Sequence, residues 1–443
     1  MWPLCIYPTL GAAPGQRAPL PPGAALRYNG GATIRKPGAL KDMTPRERIA
    51  AALAHREPDR VPVDLGATES SGIMAVTYNR LKNRLGIAGP TRVFDMGQMI
   101  AEVEPAVTRA VGSDAVALVI GPRRWKPWTL PVGSACEIPA RADVRERDDG
   151  GWELVGADGT VTARCPADGW YFDPVHFPLA SAETAADIDA GVEHIRTFDW
   201  PAHCDEDFDD LAEKARRLHD QTDYAVVGNL GVHVLAAGQF LRGFENFLMD
   251  LAADKPLAHR FCERLLEAYW PRVAKYAEIV GPYLDVIQVC DDLGTQPGPM
   301  ISPALYREMI KPYHKRLWGH IKESSGKPLL LHSCGSVYPL IGDLIEIGAD
   351  ALNPVQVSAA DMDTARLKRE FGRDLVFWGG GCDTQTVLAR GTVDQVRQEV
   401  RRRVNDLAPG GGFVFTQVHN IQADVPVDNI LAMYEELTEL AAG

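Results

Sequence analysis

The chain has 443 residues, and its 46% hydrophobic and 24% charged side chains are ordinary for a globular protein, which excludes disorder throughout. The formal net charge is −13 and no Lys/Arg-rich run of five or more residues occurs, so nucleic acid and anionic membranes are disfavoured as partners. Eight cysteines without a C-x-x-C pair predict a reducing, cytoplasmic location rather than a disulfide scaffold. The apolar stretches are far shorter than the roughly 20 residues of a membrane span, so no transmembrane helix is expected.

The first 42 residues differ from the rest of the chain. They carry seven prolines among many Gly and Ala residues without helical or strand periodicity, which predicts a disordered N-terminal tail over 1–42. A helix start follows at Thr44, with Pro45 in the first turn and Glu47 placed as in a capping box. The ordered domain is therefore predicted over 43–443, and a chain that starts at Met43 is expected to retain the function.

Short hydrophobic, β-branched runs recur along the ordered domain, mostly separated by segments with helical spacing of apolar residues. Eight such runs are found, at 61–65, 115–120, 224–228, 285–290, 328–332, 351–354, 375–378 and 413–418. Their near-continuous hydrophobicity is typical of parallel strands that are buried on both faces. The pattern predicts an α/β protein with a (β/α)₈ TIM barrel, and a doubly wound open sheet is the alternative.

The gap between the second and third runs is too long for one crossover helix. Residues 152–162 alternate in hydrophobicity around an Asp158-Gly159 turn, which predicts a hairpin. We therefore expect an insertion over about 121–180, after the second strand. Because it follows a strand, it would lie over the C-terminal end of the barrel, where such enzymes keep their active sites.

The fifth run leads directly into two metal-binding residue types, His332 and Cys334. On an extended segment, side chains two residues apart point the same way, so the two can share one metal. Imidazole together with thiolate favours zinc over hard cations. The alternative interpretation is a core histidine beside a buried free cysteine.

Two further ligand types follow later runs, Cys382 after the seventh and His419 after the eighth. Strand ends in a barrel converge on one face. We therefore predict a catalytic-type zinc site of His332, Cys334 and His419, with Cys382 as an optional ligand and one position open.

Two adjacent carboxylates, Asp291 and Asp292, end the fourth run on the same expected face. Acids in this position serve as proton donor, substrate anchor or support for a metal ligand, and they are the predicted catalytic residues. The alternative is a capping role in the loop. Since neighbours on an extended segment point to opposite sides, only one of the two is expected to act.

These motifs together resemble the uroporphyrinogen decarboxylase superfamily, and within it the corrinoid-linked methyltransferase branch. The resemblance spans about 43–440 and is carried by residues 44–53, 60–64, 291–296, 332–335, 353–356, 379–385 and 418–422. It implies a (β/α)₈ barrel. It also implies substrate contacts from four motif amides, namely Asn353, Gln356, Gln385 and Asn420.

The methyltransferase branch is indicated by two decarboxylase motifs that the chain lacks and by a zinc-ligand pair that it has. The arginine-rich motif of the haem-pathway decarboxylases has no counterpart in 64–71, and their catalytic aspartate has none in 118–122. Both differences argue against decarboxylation of a porphyrinogen. The zinc methyltransferases use His-x-Cys and a later Cys, and this chain matches the first pair but has His419 at the last position.

The resemblance therefore implies a zinc-dependent methyltransferase that moves a methyl group between a small methylated compound, for example a methoxy compound, or a thiol and a corrinoid. The corrinoid (cobalamin) is expected on a partner protein. The other expected partner is the small-molecule substrate, with self-association as a homodimer left open. A cofactor-free decarboxylase and a non-catalytic ligand-binding barrel are the alternatives.

Overall fold

The computed structural model describes residues 42–198 and 206–442, so the predicted tail lies outside the described residues except for Asp42. The chain forms an α/β fold around a curled, TIM-barrel-like sheet of seven parallel strands that follow one another in chain order. The strands are β1 Ala115–Leu118, β2 Ala225–Asn229, β3 Val286–Cys290, β4 Leu329–His332, β5 Ala351–Asn353, β6 Val376–Trp378 and β7 Phe413–Val414. Seven of the eight predicted runs therefore contain a strand.

The remaining run, 61–65, is not a strand, which corrects the prediction. Its centre forms one parallel bridge, between Val63 and Phe415. On the other side, the Val63 carbonyl accepts from the Asp114 amide at 2.6 Å, but the Val63 amide donates to the Asp114 carboxylate at 2.8 Å rather than to a neighbouring strand. Pro62 adds no N–H donor. The segment nevertheless links the two outer strands of the sheet.

Helices cover the outside of the sheet. The N-terminal helix Pro45–Leu53 begins with the predicted capping box between Thr44 and Glu47. The other α-helices are Ala75–Leu85, Pro105–Val111, Ala185–Ala190, Val192–Thr197, Phe208–Gln221, Leu235–Arg242, Phe244–Ala253, Lys255–Ile279, Pro303–Leu305, Lys311–Ser325, Ile341–Glu346, Thr364–Phe371, Val387–Arg390, Val393–Leu407 and Val427–Ala442. Gly281–Tyr283 and Tyr338–Leu340 are 3₁₀ turns, and Tyr306–Ile310 is a π-helical turn. No described helix combines the length and apolarity that crossing a bilayer requires.

The inward-facing side chains of the strands form two layers, one above the other. The lower layer, here called the floor, is a buried apolar cluster that the N-terminal helix closes from below. It comprises Ala115, Ala225, Val227, Val286, Leu330, Ala351, Val376, Trp378 and Val414, with Ile49, Ala52 and Ala67. The upper layer, here called the mouth, consists of inward residues at the carboxyl ends of β2 to β5: Asn229, Cys290, His332 and Asn353.

The chain between β1 and β2 begins with two small antiparallel sheets, in the range where the insertion is predicted. One pairs Trp125–Thr129 with Ala135–Pro139, and the other contains Asp143–Glu146, Trp152–Val155, Val161–Cys165 and Asp173–Pro174. A short hairpin at Val93–Asp95 and Ile100–Ala101 precedes β1. The Tyr171 hydroxyl donates to the Gln422 side chain at 2.6 Å, so this segment reaches the chain that follows His419.

Candidate metal centre

Three of the predicted ligands converge in the mouth. The ligand atoms of His332, Cys334 and His419 all lie within 4.8 Å of one another, and all three residues are buried. The Cys334 Sγ is 3.4 Å from His332 Nε2, and the rings of His332 and His419 are 5.8 Å apart between centroids. The sequence-based expectation that the ends of the fifth and eighth runs meet is thus met by the geometry.

The tautomer of His332 follows from its neighbour Asn353. The Asn353 Nδ2 donates to the Trp378 carbonyl at 3.0 Å, which makes Oδ1 the acceptor end of the amide. His332 Nδ1 lies 2.7 Å from that oxygen and must therefore carry the proton. Its Nε2 then presents a lone pair on the side of Cys334, as a metal ligand requires.

The turn that carries Cys334 is tied to the neighbouring strand ends. Its amide donates to Asp292 Oδ1 at 2.8 Å, and the next amide, of Gly335, donates to Gln356 Oε1 at 2.8 Å. Gly335 has φ 79°, and a Cβ there would lie 2.4 Å from the backbone of Gly294. Any larger residue would separate the two backbones, so glycine is required at this close approach.

His419 is held in a left-handed backbone conformation with φ 62°. Such a value is uncommon for residues other than glycine, although histidine tolerates it better than most. Residues held this way cost of the order of 1–3 kcal/mol and cluster at functional sites. The preceding residue, Val418, is anchored through its amide to the Cys382 carbonyl at 2.8 Å and through its carbonyl to the Thr384 hydroxyl.

Cys382 is not one of the grouped donors. Its side chain is fully buried in the main apolar core, and burial, followed by the negative charges of Glu399 and Asp383, raises the pKa of its thiol well above the ordinary value. Of the two residues that the sequence left open for the last position, His419 and not Cys382 lies together with His332 and Cys334.

The two adjacent aspartates have different surroundings, and Asp291 does not fit the expected general acid. Asp291 is 1% exposed and accepts from the amides of Val234, Leu235 and Ala236 at 2.6 to 2.9 Å, at the start of the helix Leu235–Arg242. It also accepts from His314 Nε2 at 2.7 Å. Burial alone would raise the pKa of Asp291, but these donors and the nearby imidazoles lower it. Asp291 is therefore an ionised helix cap, which is the loop-capping alternative.

Asp292 faces the mouth instead. Besides accepting from the Cys334 amide, its Oδ1 lies 3.7 Å from His332 Nε2. Asp292, His332 and Cys290 also form a second group of potential ligand atoms within 4.8 Å of one another. Burial, followed mainly by the charge of Asp292, raises the pKa of the Cys290 thiol well above its usual range. All three residues of the set with Cys334 and His419 are buried, and this set contains the predicted His-x-Cys pair, so it is taken as the metal candidate.

The amides expected to bind substrate lie in different places. Asn353 and Gln356 are buried and use their side chains to hold His332 and the Cys334 turn, so they support the ligands. Asn420 is fully buried and donates to Gln98 at 2.8 Å. Gln385 is only partly buried and accepts from Gln296 at 3.2 Å at the rim.

Sequence reasoning missed two carboxylates in the segment 64–71. Asp64 is fully buried, where it accepts from Trp378 Nε1 at 2.8 Å and from the Ala67 amide at 2.8 Å. Burial raises the pKa of Asp64 to about 6 despite these hydrogen bonds. Glu69 is 8% exposed and accepts from the Asn229 side chain. The signal available in the sequence was two acids where related decarboxylases carry arginines.

The donor distances can be compared with those of a zinc site. With a zinc–sulfur bond of about 2.3 Å, a zinc–nitrogen bond of about 2.05 Å and a tetrahedral angle, the two donors should be about 3.6 Å apart. The observed separation between Cys334 Sγ and His332 Nε2 is 3.4 Å. The residues present therefore fit the metal without rearrangement of this pair.

Comparison with known proteins shows the family. Residues 184–440 match the uroporphyrinogen decarboxylase (URO-D) family, more than half of the chain, and the chain belongs to that family. A uroporphyrinogen decarboxylase of Thermus thermophilus is 26% identical over 243 residues, which are 52% of this chain and 64% of that protein. One of Xanthomonas campestris is 30% identical over 152 residues, 32% of this chain and 41% of that protein. Both matches span less than two thirds of the relative's length.

A solved structure extends the similarity over almost the whole chain. It is a methyltransferase from Methanosarcina mazei, which matches 90% of this chain and 99% of its own length with a TM-score of 0.53. The sequence identity is 17%, so this likeness establishes a shared fold.

Proposed function

We propose that the chain is a zinc-dependent methyltransferase of this family, which moves a methyl group between a small methylated compound or a thiol and a corrinoid carried by a partner protein. The observation that supports it is the set of three donors, His332, Cys334 and His419, in the mouth. Three protein ligands leave a fourth position for a reactant, as in catalytic zinc sites. The resemblance to the zinc methyltransferases supports the same reaction class.

The residues around the site have separate tasks in this proposal. When bound, zinc would polarise a methoxy oxygen or keep a thiol ionised at neutral pH. His332 and Cys334 would hold the ion through Nε2 and Sγ. Asn353 keeps His332 in the right tautomer, and Asp292 fixes the Cys334 backbone, so both are positioning residues. The six described cysteines are all buried, and none of them forms a disulfide, which suits a reducing compartment such as the cytoplasm.

Uroporphyrinogen decarboxylation is the second candidate, because the curated relatives carry that name. A substrate with many carboxylates needs cations to receive it. The structure describes four buried cationic side chains, and each is paired with a carboxylate: Arg48 with Asp114, Lys82 with Glu104, Arg242 with Asp250 and Arg403 with Glu399. The segment 64–71 instead brings a carboxylate, that of Glu69, to the mouth residue Asn229, which favours methyl transfer.

Elemental analysis tests the metal proposal most directly. Protein grown with ample zinc is expected to contain close to one zinc per chain. His332→Ala, Cys334→Ser and His419→Ala should each remove it, because two remaining ligands do not hold zinc tightly. Cys382→Ala and Cys262→Ala are matched controls that change equally buried cysteines and should keep full zinc content.

Cys290→Ser distinguishes the two groups of donors. If it keeps zinc while Cys334→Ser loses it, the set with His419 is the site. Zinc loss in Cys290→Ser with retention in His419→Ala would transfer the site to the other group. Wild-type protein without zinc would refute the metal-dependent reaction.

A further inference from the structure

The segment 64–71 enters the mouth beside the metal candidate. The Ser70 hydroxyl donates to Asn353 Oδ1, which also accepts the hydrogen bond from His332 Nδ1. On the opposite side, Glu69 is bonded to Asn229 at the end of β2. The turn between them is fixed by reciprocal bonds of Thr68 and Ser71, so the Glu69 side chain is placed by a rigid support.

The two oxygens of the Glu69 carboxyl differ. The Gly231 amide donates to Asn229 Oδ1 at 2.9 Å, so the other end of the Asn229 amide, Nδ2, is the donor to Glu69 Oε1. Glu69 Oε2 is buried and has no hydrogen-bond partner among the residues that the structure describes. A buried polar atom without a partner is costly, so this oxygen is suited to a ligand.

The surroundings favour the neutral acid. Burial raises the pKa of Glu69, and the negative charge of Asp95 adds to the effect, although the bond from Asn229 opposes it. The adjacent Ser70 is hydrogen-bonded to Asn353 Oδ1, which lies 2.7 Å from His332 Nδ1, so the segment that carries Glu69 adjoins the metal candidate.

Resting on the proposed methyl transfer, we propose that Glu69 is a catalytic proton donor, whose Oε2 binds the oxygen of a neutral methyl ether and protonates it as the methyl carbon leaves. The carbon–oxygen bond breaks, its electron pair stays on the oxygen, and the proton from Oε2 completes the alcohol or phenol. The methyl carbon bonds to the cobalt of a Co(I) corrinoid, which supplies the electron pair and becomes Co(III). Glu69 is left as a carboxylate and regains its proton from water.

Two observations select a neutral ether among the methylated compounds. A thiol acceptor must lose a proton, so a proton donor at this place would not help it. The buried cations that the structure describes are all paired with carboxylates, so none is available for an anionic substrate. An ether oxygen, by contrast, accepts one hydrogen bond and becomes a much better leaving group once protonated.

The role of Glu69 as proton donor is tested with two methyl ethers whose leaving groups differ in their need for a proton. Zinc-loaded protein is given methoxybenzene or its para-nitro derivative, with free cob(I)alamin as methyl acceptor, and methylcobalamin is followed by absorbance. Glu69→Gln keeps the shape and the bond from Asn229 but has no acidic proton. It should slow methoxybenzene at least about 100-fold and the nitro compound less than about 10-fold, because nitrophenolate leaves without a proton.

A structural role would slow both ethers equally, and that outcome, or unchanged rates, would overturn the proposal. Zinc content and melting temperature of Glu69→Gln should match the wild type. In infrared difference spectra at neutral pH, wild-type protein should show the carbonyl band of a protonated carboxyl that Glu69→Gln lacks, and its absence would also refute the assignment.

The failure of this inference can be separated from that of the proposed function. Wild-type protein that methylates 2-mercaptoethanol from methylcobalamin but demethylates neither ether would overturn the role of Glu69 and leave the methyltransferase standing. Protein without zinc and without transfer in either direction would overturn both.

Discussion

The floor and the mouth are built from the same strands but obey different rules. Within β4, Leu330 belongs to the apolar floor, and two residues later His332 belongs to the mouth. The floor needs only shape and volume to pack. The mouth consists of buried polar groups, each of which must be satisfied by a partner, as Asn353 satisfies His332. Stability is therefore expected to depend on the floor and metal binding on the mouth.

Asp291 is the strongest exception to this division. It follows the mouth residue Cys290, but it caps a helix and is expected to contribute to stability. Asp291→Ala leaves three helix amides and His314 without their acceptor, and the free energy of unfolding should fall by about 3–5 kcal/mol. Urea denaturation of zinc-free protein measures it. The neighbour Asp292 serves as control, because Asp292→Ala removes one backbone contact and should cost about 1 kcal/mol. Equal losses would contradict the capping role.

Leu330 tests the floor. It is fully buried, and Leu330→Ala should lower the free energy of unfolding by about 2–5 kcal/mol through lost burial and the remaining cavity. The fraction that stays folded should bind zinc with unchanged stoichiometry. If Leu330→Ala abolishes zinc binding in folded protein, the two layers are not independent.

Asp64 is a buried carboxylate at the apolar floor, where it accepts from the floor residues Trp378 and Ala67. Its pKa is raised from 3.8 to about 6 in the folded protein, so the folded state holds this proton more tightly than the unfolded state. Stability contributed by Asp64 should therefore fall as the pH rises from about 4 to 6, by roughly 3 kcal/mol, and stay level above that range. The difference between wild type and Asp64→Asn in urea denaturation isolates this dependence. A difference that does not vary over that range would refute it.

Asn353 tests whether metal binding depends on the polar partners of the ligands in the mouth. Asn353→Ala removes the acceptor that fixes the His332 tautomer, and zinc affinity should fall about 10- to 100-fold. Competition with a chromophoric chelator measures the change. Gln385→Ala at the rim is the control and should leave the affinity unchanged. Comparable affinity losses in both variants would mean that Asn353 has no special part in orienting the ligand.

The sequence predicted the floor better than the mouth. Continuous hydrophobic runs identified seven strands, because burial on both faces leaves a strong local pattern. The run 61–65 has the same pattern, but its Val63 amide donates to the Asp114 side chain, which lies far away in the sequence. No local pattern contains that information.

In the mouth, spacing alone placed His332 and Cys334 together, since both lie on one extended segment. The choice between Cys382 and His419 depended on where two strand ends point, and the roles of Asp291 and Asp292 depended on which helix lies beside them. Glu69 lies in no sequence motif that predicts a function. It is a candidate because it is buried and one of its oxygens has no hydrogen-bond partner among the described residues, which are properties of the folded chain.

The left-handed backbone at His419 constrains how this chain can diverge from its relatives. The zinc methyltransferases that it resembles place a cysteine at this position. His419→Cys alone would leave a shorter side chain on the same left-handed backbone. Cysteine tolerates a positive φ less well than histidine does, so the exchange carries a backbone penalty in addition to the change of ligand. An exchange of the ligand is therefore expected to work better when the loop 418–422 is exchanged with it, and grafting experiments between relatives should transfer the whole loop.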